Sequence, residues 1–128
     1  MRNTYIVDSG VQKGTSITFL LTEKPTTEQV KPAGQLITDS DAHSFVYLLD
    51  EQDGYGYVQF PKNVWGLLTE LLRIEEDPSL EFGDQTFVLH QFREELEMLL
   101  YNIEGNENYG ADFTKEVETI FQDFYENA

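Results

Sequence analysis

Apolar residues alternate with polar ones along the first half of the chain and recur every three or four residues along most of the second. In "TSITFLLTE" (15–23), Ile17, Phe19 and Leu21 fall on one side of an extended backbone, the period of two that marks a half-buried strand. "NTYIVDS" (3–9) is a short run of β-formers, and Gly10 and Gly14 bracket the expected turn between the two. "KPTTEQVKPAG" (24–34), with two prolines, a glycine and few apolar residues, reads as a loop. "QLITDSD" (35–41) opens as a strand and ends in turn formers. "SFVYLLDE" (44–51) is apolar on both faces, which suits a central strand. "QDG" then predicts a hairpin into "YGYVQF" (55–60).

Past Pro61 the period changes. Pro61 suits a first helical turn, and Val64, Leu67, Leu68, Leu71 and Leu72 form a helical stripe that "IEEDP" stops after Arg73. "SLEFGDQTFVLH" (79–90) reads as a hairpin around Gly83-Asp84. Phe92, Leu96, Leu99, Leu100 and Ile103 then recur at helical spacing, as do Phe113, Val117, Ile120, Phe121 and Phe124. The expected architecture is one α+β domain spanning 1–128, strand-rich over 1–60 and mainly helical over 61–128. It has an antiparallel sheet of about 5–7 strands and about three helices packed on one face. The last two helices form a helical hairpin at 102–110, and Leu48, Leu96, Leu99, Val117 and Phe121 are expected to be deeply buried.

Composition adds limits. At 128 residues and 40% apolar, the chain can build a sizeable core. It has no cysteine, which excludes disulfides, thiolate nucleophiles and cysteine-based zinc sites. The start, "MRNTYIVDSG", lacks the apolar core of a secretory signal, and no apolar run is long enough to span a membrane, so a cytoplasmic protein is expected.

Net charge changes the picture most. It is −16, and residues 50–128 carry 19 acids against four bases. Residues 1–49 are nearly balanced, with five acids and four bases. Without a basic stripe, direct nucleic-acid binding and attachment to anionic membranes are disfavoured. A basic protein partner is favoured instead, on the acidic faces of the last two helices. Glu94, Glu97, Glu104 and Glu116 are the candidate contacts, with Asn106, Asn108 and Tyr109 at the connecting turn. The bland reading of the same residues is a solvated face.

The turn itself, "NIEGNENYG" (102–110), holds three asparagines and two glycines. Gly105 can close one helix in the left-handed conformation, and Asn106 or Asn108 can cap the next. Glu104, Asn106 and Asn108 alternate as calcium ligands do, but Tyr109 stands where the loop glycine belongs and Lys115 where the closing glutamate belongs. "DSDAH" (39–43) offers a second constellation: if the backbone is extended, Asp39, Asp41 and His43 point the same way and could hold a divalent metal for a hydrolase. Its bland reading is a turn between strands. His90, before a helix, reads as a surface or capping residue, and the lone Trp65 as packing at a helix–sheet junction. Tyr55 and Tyr57 share a side, giving either a half-covered sheet face or a surface for homo-oligomerisation. No phosphate loop, Ser-His-Asp order or zinc-protease motif occurs, so the residues lean away from catalysis and imply no cofactor.

"DSDAHSFVYLL", Trp65, "FREELEMLLYNIEGNENYG" and "VETIF" together resemble the small uncharacterised YjbL-like proteins of bacilli and staphylococci. The resemblance runs from about residue 35 to 122 and is most specific over Asn102-Ile103, Asn106 and Asn108-Tyr109-Gly110. Arg93 stands where such proteins are expected to carry a histidine, which weakens any mechanism built on an imidazole there. The resemblance implies a cytoplasmic bacterial protein and supplies no catalytic residues to transfer.

Overall fold

Seven strands form one sheet in the order β3-β4-β5-β1-β2-β6-β7, so the first strand of the chain lies at its centre. The structure, a computed structural model, describes residues 3–25 and 29–127. Strands β1 (Asn3–Lys13), β2 (Ser16–Leu21), β3 (Val30–Asp39), β4 (Ser44–Glu51) and β5 (Gly54–Pro61) come first. Helix α1 (Trp65–Ile74), the hairpin β6 (Ser79–Phe82) and β7 (Gln85–Val88), and helices α2 (Phe92–Ile103), α3 (Ala111–Ile120) and α4 (Gln122–Glu126) follow. The α+β class is as expected from the sequence. Among the described residues, no helix is long and apolar enough to cross a membrane.

The sheet is mixed rather than purely antiparallel. β1 pairs in parallel with β5, and β2 with β6. Neither pair joins consecutive strands, so no turn signal in the sequence could report it. β1 with β2, β3 with β4, β4 with β5 and β6 with β7 pair antiparallel, and the Gly83-Asp84 and "QDG" turns lie where the hairpin signals put them.

Four local expectations are corrected. Residues 24–34 are not all loop, because β3 already pairs at Val30 with Glu51. The strand survives its proline and glycine through an irregularity between Pro32 and Leu36, where Gly34 takes φ +73°. An edge strand tolerates this, since Pro32 has no N–H to offer a further neighbour. Gly10 is a strand residue rather than a turn residue: a Cβ there would lie 2.5 Å from Leu67 Cδ1 and would push that side chain of α1 aside. Pro61 ends β5 opposite Ser44, and a 3-10 turn at Lys62–Val64 precedes α1. The last stripe is not one helix, because the backbone breaks at Phe121 and α4 sets off separately.

One face of the sheet carries Val7, Ile17, Phe19, Phe45, Tyr47, Leu49, Val58 and Phe60 into a single apolar cluster with the helices. Trp65 sits in the middle of it as a helix–sheet junction. Its Nε1 donates to Phe60 O at 2.9 Å, and its ring lies 5.3 Å from Phe45, 5.8 Å from Phe113 and 6.0 Å from Phe121. Leu96, Val117 and Phe121 are fully buried, as expected. Leu48 is buried too, but outside this cluster, consistent with its place on the opposite face of β4. Leu99 is only half-buried, and Leu100 and Ile103 take the deep positions of α2.

The buried Tyr47 ties the layers together. Its hydroxyl donates to His90 O at 2.9 Å and accepts from Gly34 N at 3.0 Å, while its ring stacks on Phe92 at 5.8 Å. Burial pushes this phenol up to about 12.

Chemical denaturation should separate the two leucines: Leu100→Ala is expected to cost about 2–5 kcal/mol, and Leu99→Ala clearly less. Tyr47→Phe leaves Gly34 N and His90 O without their partner and should cost roughly 1–3 kcal/mol. Because the folded phenol titrates above the unfolded one, its contribution is complete below about pH 10 and is lost as pH rises through the folded value. Wild-type stability should therefore fall over that alkaline window, and Tyr47→Phe should lose less of it there.

Candidate functional site

The turn between β3 and β4 determines how "DSDAH" is arranged. Residues 40–43 are not extended. Asp39 Oδ1 accepts from Ala42 N at 3.2 Å, Ser44 Oγ donates to Ala42 O at 3.0 Å, and His43 takes φ +48°. Asp39, Asp41 and His43 are thus not presented on one face of a strand, which removes the geometric premise for a metal centre there. Among the described residues, no group of three or more His, Asp or Glu could hold a metal ion. His43 instead reaches across to α3. Its Nδ1, shielded from solvent, lies 2.9 Å from Glu116 Oε1 without meeting hydrogen-bond angles, and Lys62 Nζ lies 2.8 Å from Glu116 Oε2. The hydrogen bond from Lys62 holds the Glu116 carboxyl below the usual carboxylate range against the opposing effect of burial, and His43 adds to the lowering.

The connecting turn of the helical hairpin is held by its own atoms. Gly105 takes φ +68° after α2 and donates its N–H to Glu118 Oε2 at 2.7 Å. Asn106 Oδ1 accepts from Asn108 N at 3.1 Å and its Nδ2 donates to Asn102 O at 3.3 Å, while its carbonyl accepts from Thr114 Oγ1 at 2.9 Å. Asn106 therefore caps the 3-10 turn Glu107–Tyr109, and Gly110 stands at the N-cap of α3. Tyr109 is half-buried and packs on the apolar cluster.

The acidic candidates do not share one face. Glu116 is engaged under the β3–β4 turn. Glu97 Oε2 accepts from Arg93 Nη1 at 3.1 Å along α2. Glu94 and Glu104 are exposed, as is Asn108. Other carboxylates serve the backbone: Glu95 Oε1 accepts from Leu36 N at 3.2 Å, and Asp77 accepts from Gln91 N and Arg93 N at 3.2 and 2.9 Å. Among the described residues, the carboxylates of Glu94, Glu104, Glu107, Asp112 and Asp123 have no ion pair or hydrogen bond.

What the sequence did not point to is a cleft of about 680 Å³ where α1, α2, the end of α3 and α4 meet. Leu72, Ile120, Tyr101 and Phe124 supply apolar surface, and Glu75, Glu97 and Asp123 supply charge. The Tyr101 and Phe124 rings lie 5.3 Å apart. Tyr125 donates its hydroxyl to Leu100 O at 2.6 Å, which anchors α4 to α2 beside the cleft. The one legible signal was Tyr101, an aromatic residue off the buried stripe of its helix.

Comparison with known proteins agrees with the reach of the fold. The model of a family described as "Family of unknown function (UPF0738)" matches residues 5–121, which brings β1 and β2 into the likeness as well. A UPF0738 protein of Lysinibacillus sphaericus is 43% identical over 95% of this chain and 96% of its own length. The UPF0738 protein YjbL of Bacillus subtilis is 42% identical over 71% of this chain and 75% of its own. A UPF0738 protein of Staphylococcus epidermidis is 38% identical over 75% and 79% respectively. No solved structure matches. With a match that runs from the first strand to the end of the third helix, the chain belongs to the UPF0738 family.

Proposed function

We propose that this chain is a cytoplasmic, non-catalytic interaction module that binds a basic protein through its acidic helical half. The supporting observation is the set of carboxylates that the fold does not use. Glu116, Glu118, Glu95 and Asp77 each hold a backbone group or a side chain in place. Glu94, Glu104, Glu107 and Asp112 hold nothing among the described residues, yet they gather on and beside the helical hairpin. A surface with a large excess of unmatched carboxylates over bases repels its own kind and raises the encounter rate with a cation-rich partner, although Lys115 lies beside Glu107. Glu116 leaves the candidate set, because its charge is already matched by Lys62 and faces His43.

The test is capture from a cell lysate at low and at moderate salt, followed by rebinding of the purified captured protein. The expected partner is basic, and its capture weakens with salt, because exposed charges are screened over about 8–10 Å near physiological ionic strength. Changing Glu94, Glu104 and Glu107 together to Lys should abolish capture without lowering thermal stability. Glu116→Gln should do the reverse, leaving capture intact while lowering the unfolding temperature at neutral pH. Because the Glu116 carboxyl is depressed in the fold, its contribution is present above the unfolded value of about 4.3 and is lost as pH falls through the folded value. Capture indifferent to both salt and the triple substitution would make the acidic face a solvated surface only.

A further inference from the structure

We infer that the cleft between α1, α2, the end of α3 and α4 is where a partner's cationic amphipathic helix docks; this rests on the reading of the acidic half as a binding surface and adds to it a second contact region, apart from Glu94, Glu104 and Glu107. The cleft joins two kinds of surface that rarely coincide on exposed helices. Its lining is mixed: Leu72 at 8% exposure and the half-buried Ile120 and Phe124 supply the apolar part, beside Thr69 and Asn127. Tyr101 lines the same cleft at 54% exposure, and Met98, three residues earlier on α2, is 52% exposed outside it. Isolated exposed apolar side chains are ordinary, but Tyr101 borders a concave surface.

The rim is anionic. Glu75, Glu97 and Asp123 face a single lining cation, Arg73, which lies 3.7 Å from Glu70 and is 75% exposed. Glu97 already shares its charge with Arg93, so Glu75 and Asp123 are the carboxylates available to a newcomer.

Floor and rim select the occupant together. A bare polycation satisfies the carboxylates and leaves Leu72, Ile120 and Tyr101 wet. An uncharged apolar segment covers the floor and strips water from carboxylates it cannot match, which is costly. A helix with aliphatic or aromatic anchors at i, i+3 or i+4 and lysine or arginine on its flanks meets both demands, and laying such a helix in a groove between helices is a recurrent mode of recognition. A volume of 680 Å³ lies within the range of pockets that hold a few buried side chains. Tyr125 anchors α4 to Leu100 O beside the cleft.

The test uses two synthetic peptides of equal length and charge. One carries leucine and lysine at helical spacing, and the other carries the same lysines with glycine and serine in place of leucine. Each is titrated into the isotopically labelled protein at low salt and followed by amide chemical shifts. The amphipathic peptide should bind about tenfold or more tightly than its partner peptide, the worth of one well-buried apolar anchor. Its shifts should cluster on Leu72, Tyr101, Ile120 and Phe124. Tyr101→Ser, at an exposed position, should shrink that preference; the pair Glu75→Lys with Asp123→Lys should weaken both peptides alike, while Glu104→Lys with Glu107→Lys should leave the preference unchanged. Equal binding of both peptides, with shifts spread over the hairpin around Glu104 and Glu107, would overturn the cleft and leave the acidic-surface reading standing. Failure of both peptides to bind would overturn the two together.

Discussion

The hydroxyl of Tyr47 is the point on which the layering of this molecule turns. A fully buried phenol must have its polar tip satisfied, and this one is satisfied in both directions, by Gly34 N from β3 and by His90 O just before α2. The two partners belong to segments 56 residues apart in sequence, so the edge of the sheet and the start of the longest helix are set by one atom. Stacking on Phe92 then fixes the roll of α2, and Asp77 closes its first turn by accepting from Gln91 N and Arg93 N. With α2 placed, the hairpin to α3, the crossing of α4 and the cleft between them follow.

The same contacts protect an edge. β3 is an outer strand, and outer strands offer unpaired backbone to any passing chain. Here Leu36 N is taken by Glu95, His90 Nε2 lies 3.0 Å from Pro32 O, and Pro32 has no N–H to give. At the other edge β7 is only four residues long. Part of the β3 edge is thus occupied from within the chain, and the other edge is short.

Much of the fold was legible because it is written in local periods. The alternation in β2, the doubly apolar β4, the Asp-Gly and Gly-Asp turns and the stripes of α1 and α2 are properties of neighbouring residues. What was not legible depends on residues far apart. The parallel pairings of β1 with β5 and β2 with β6 have no turn to announce them. β3 was obscured by Pro32 and Gly34, which read as loop until the partner strand β4 is known. Leu99 and Leu100 both fit the stripe of α2, and only the position of the sheet decides which of them is buried. The site was harder still. Glu94, Glu95 and Glu97 look alike in "FREELE", yet one is unpaired, one holds a strand edge 59 residues away and one holds Arg93. Glu116 differs from its neighbours only because Lys62 and His43 come to it from other elements. Which carboxylate is available for binding is a tertiary property.

The central position of β1 has a kinetic side. β1 pairs with its sequence neighbour β2 on one side, but its other neighbour, β5, is separated from it by the whole of β3 and β4. The pairing of β2 with β6 likewise spans β3, β4, β5 and α1. Pairings of such long sequence separation impose a loop-closure cost before they return any stability, which slows folding. Local antiparallel pairing alone can build only the separate pieces β1-β2, β3-β4-β5 and β6-β7, so the sheet is continuous only through the two parallel seams, β1 with β5 and β2 with β6.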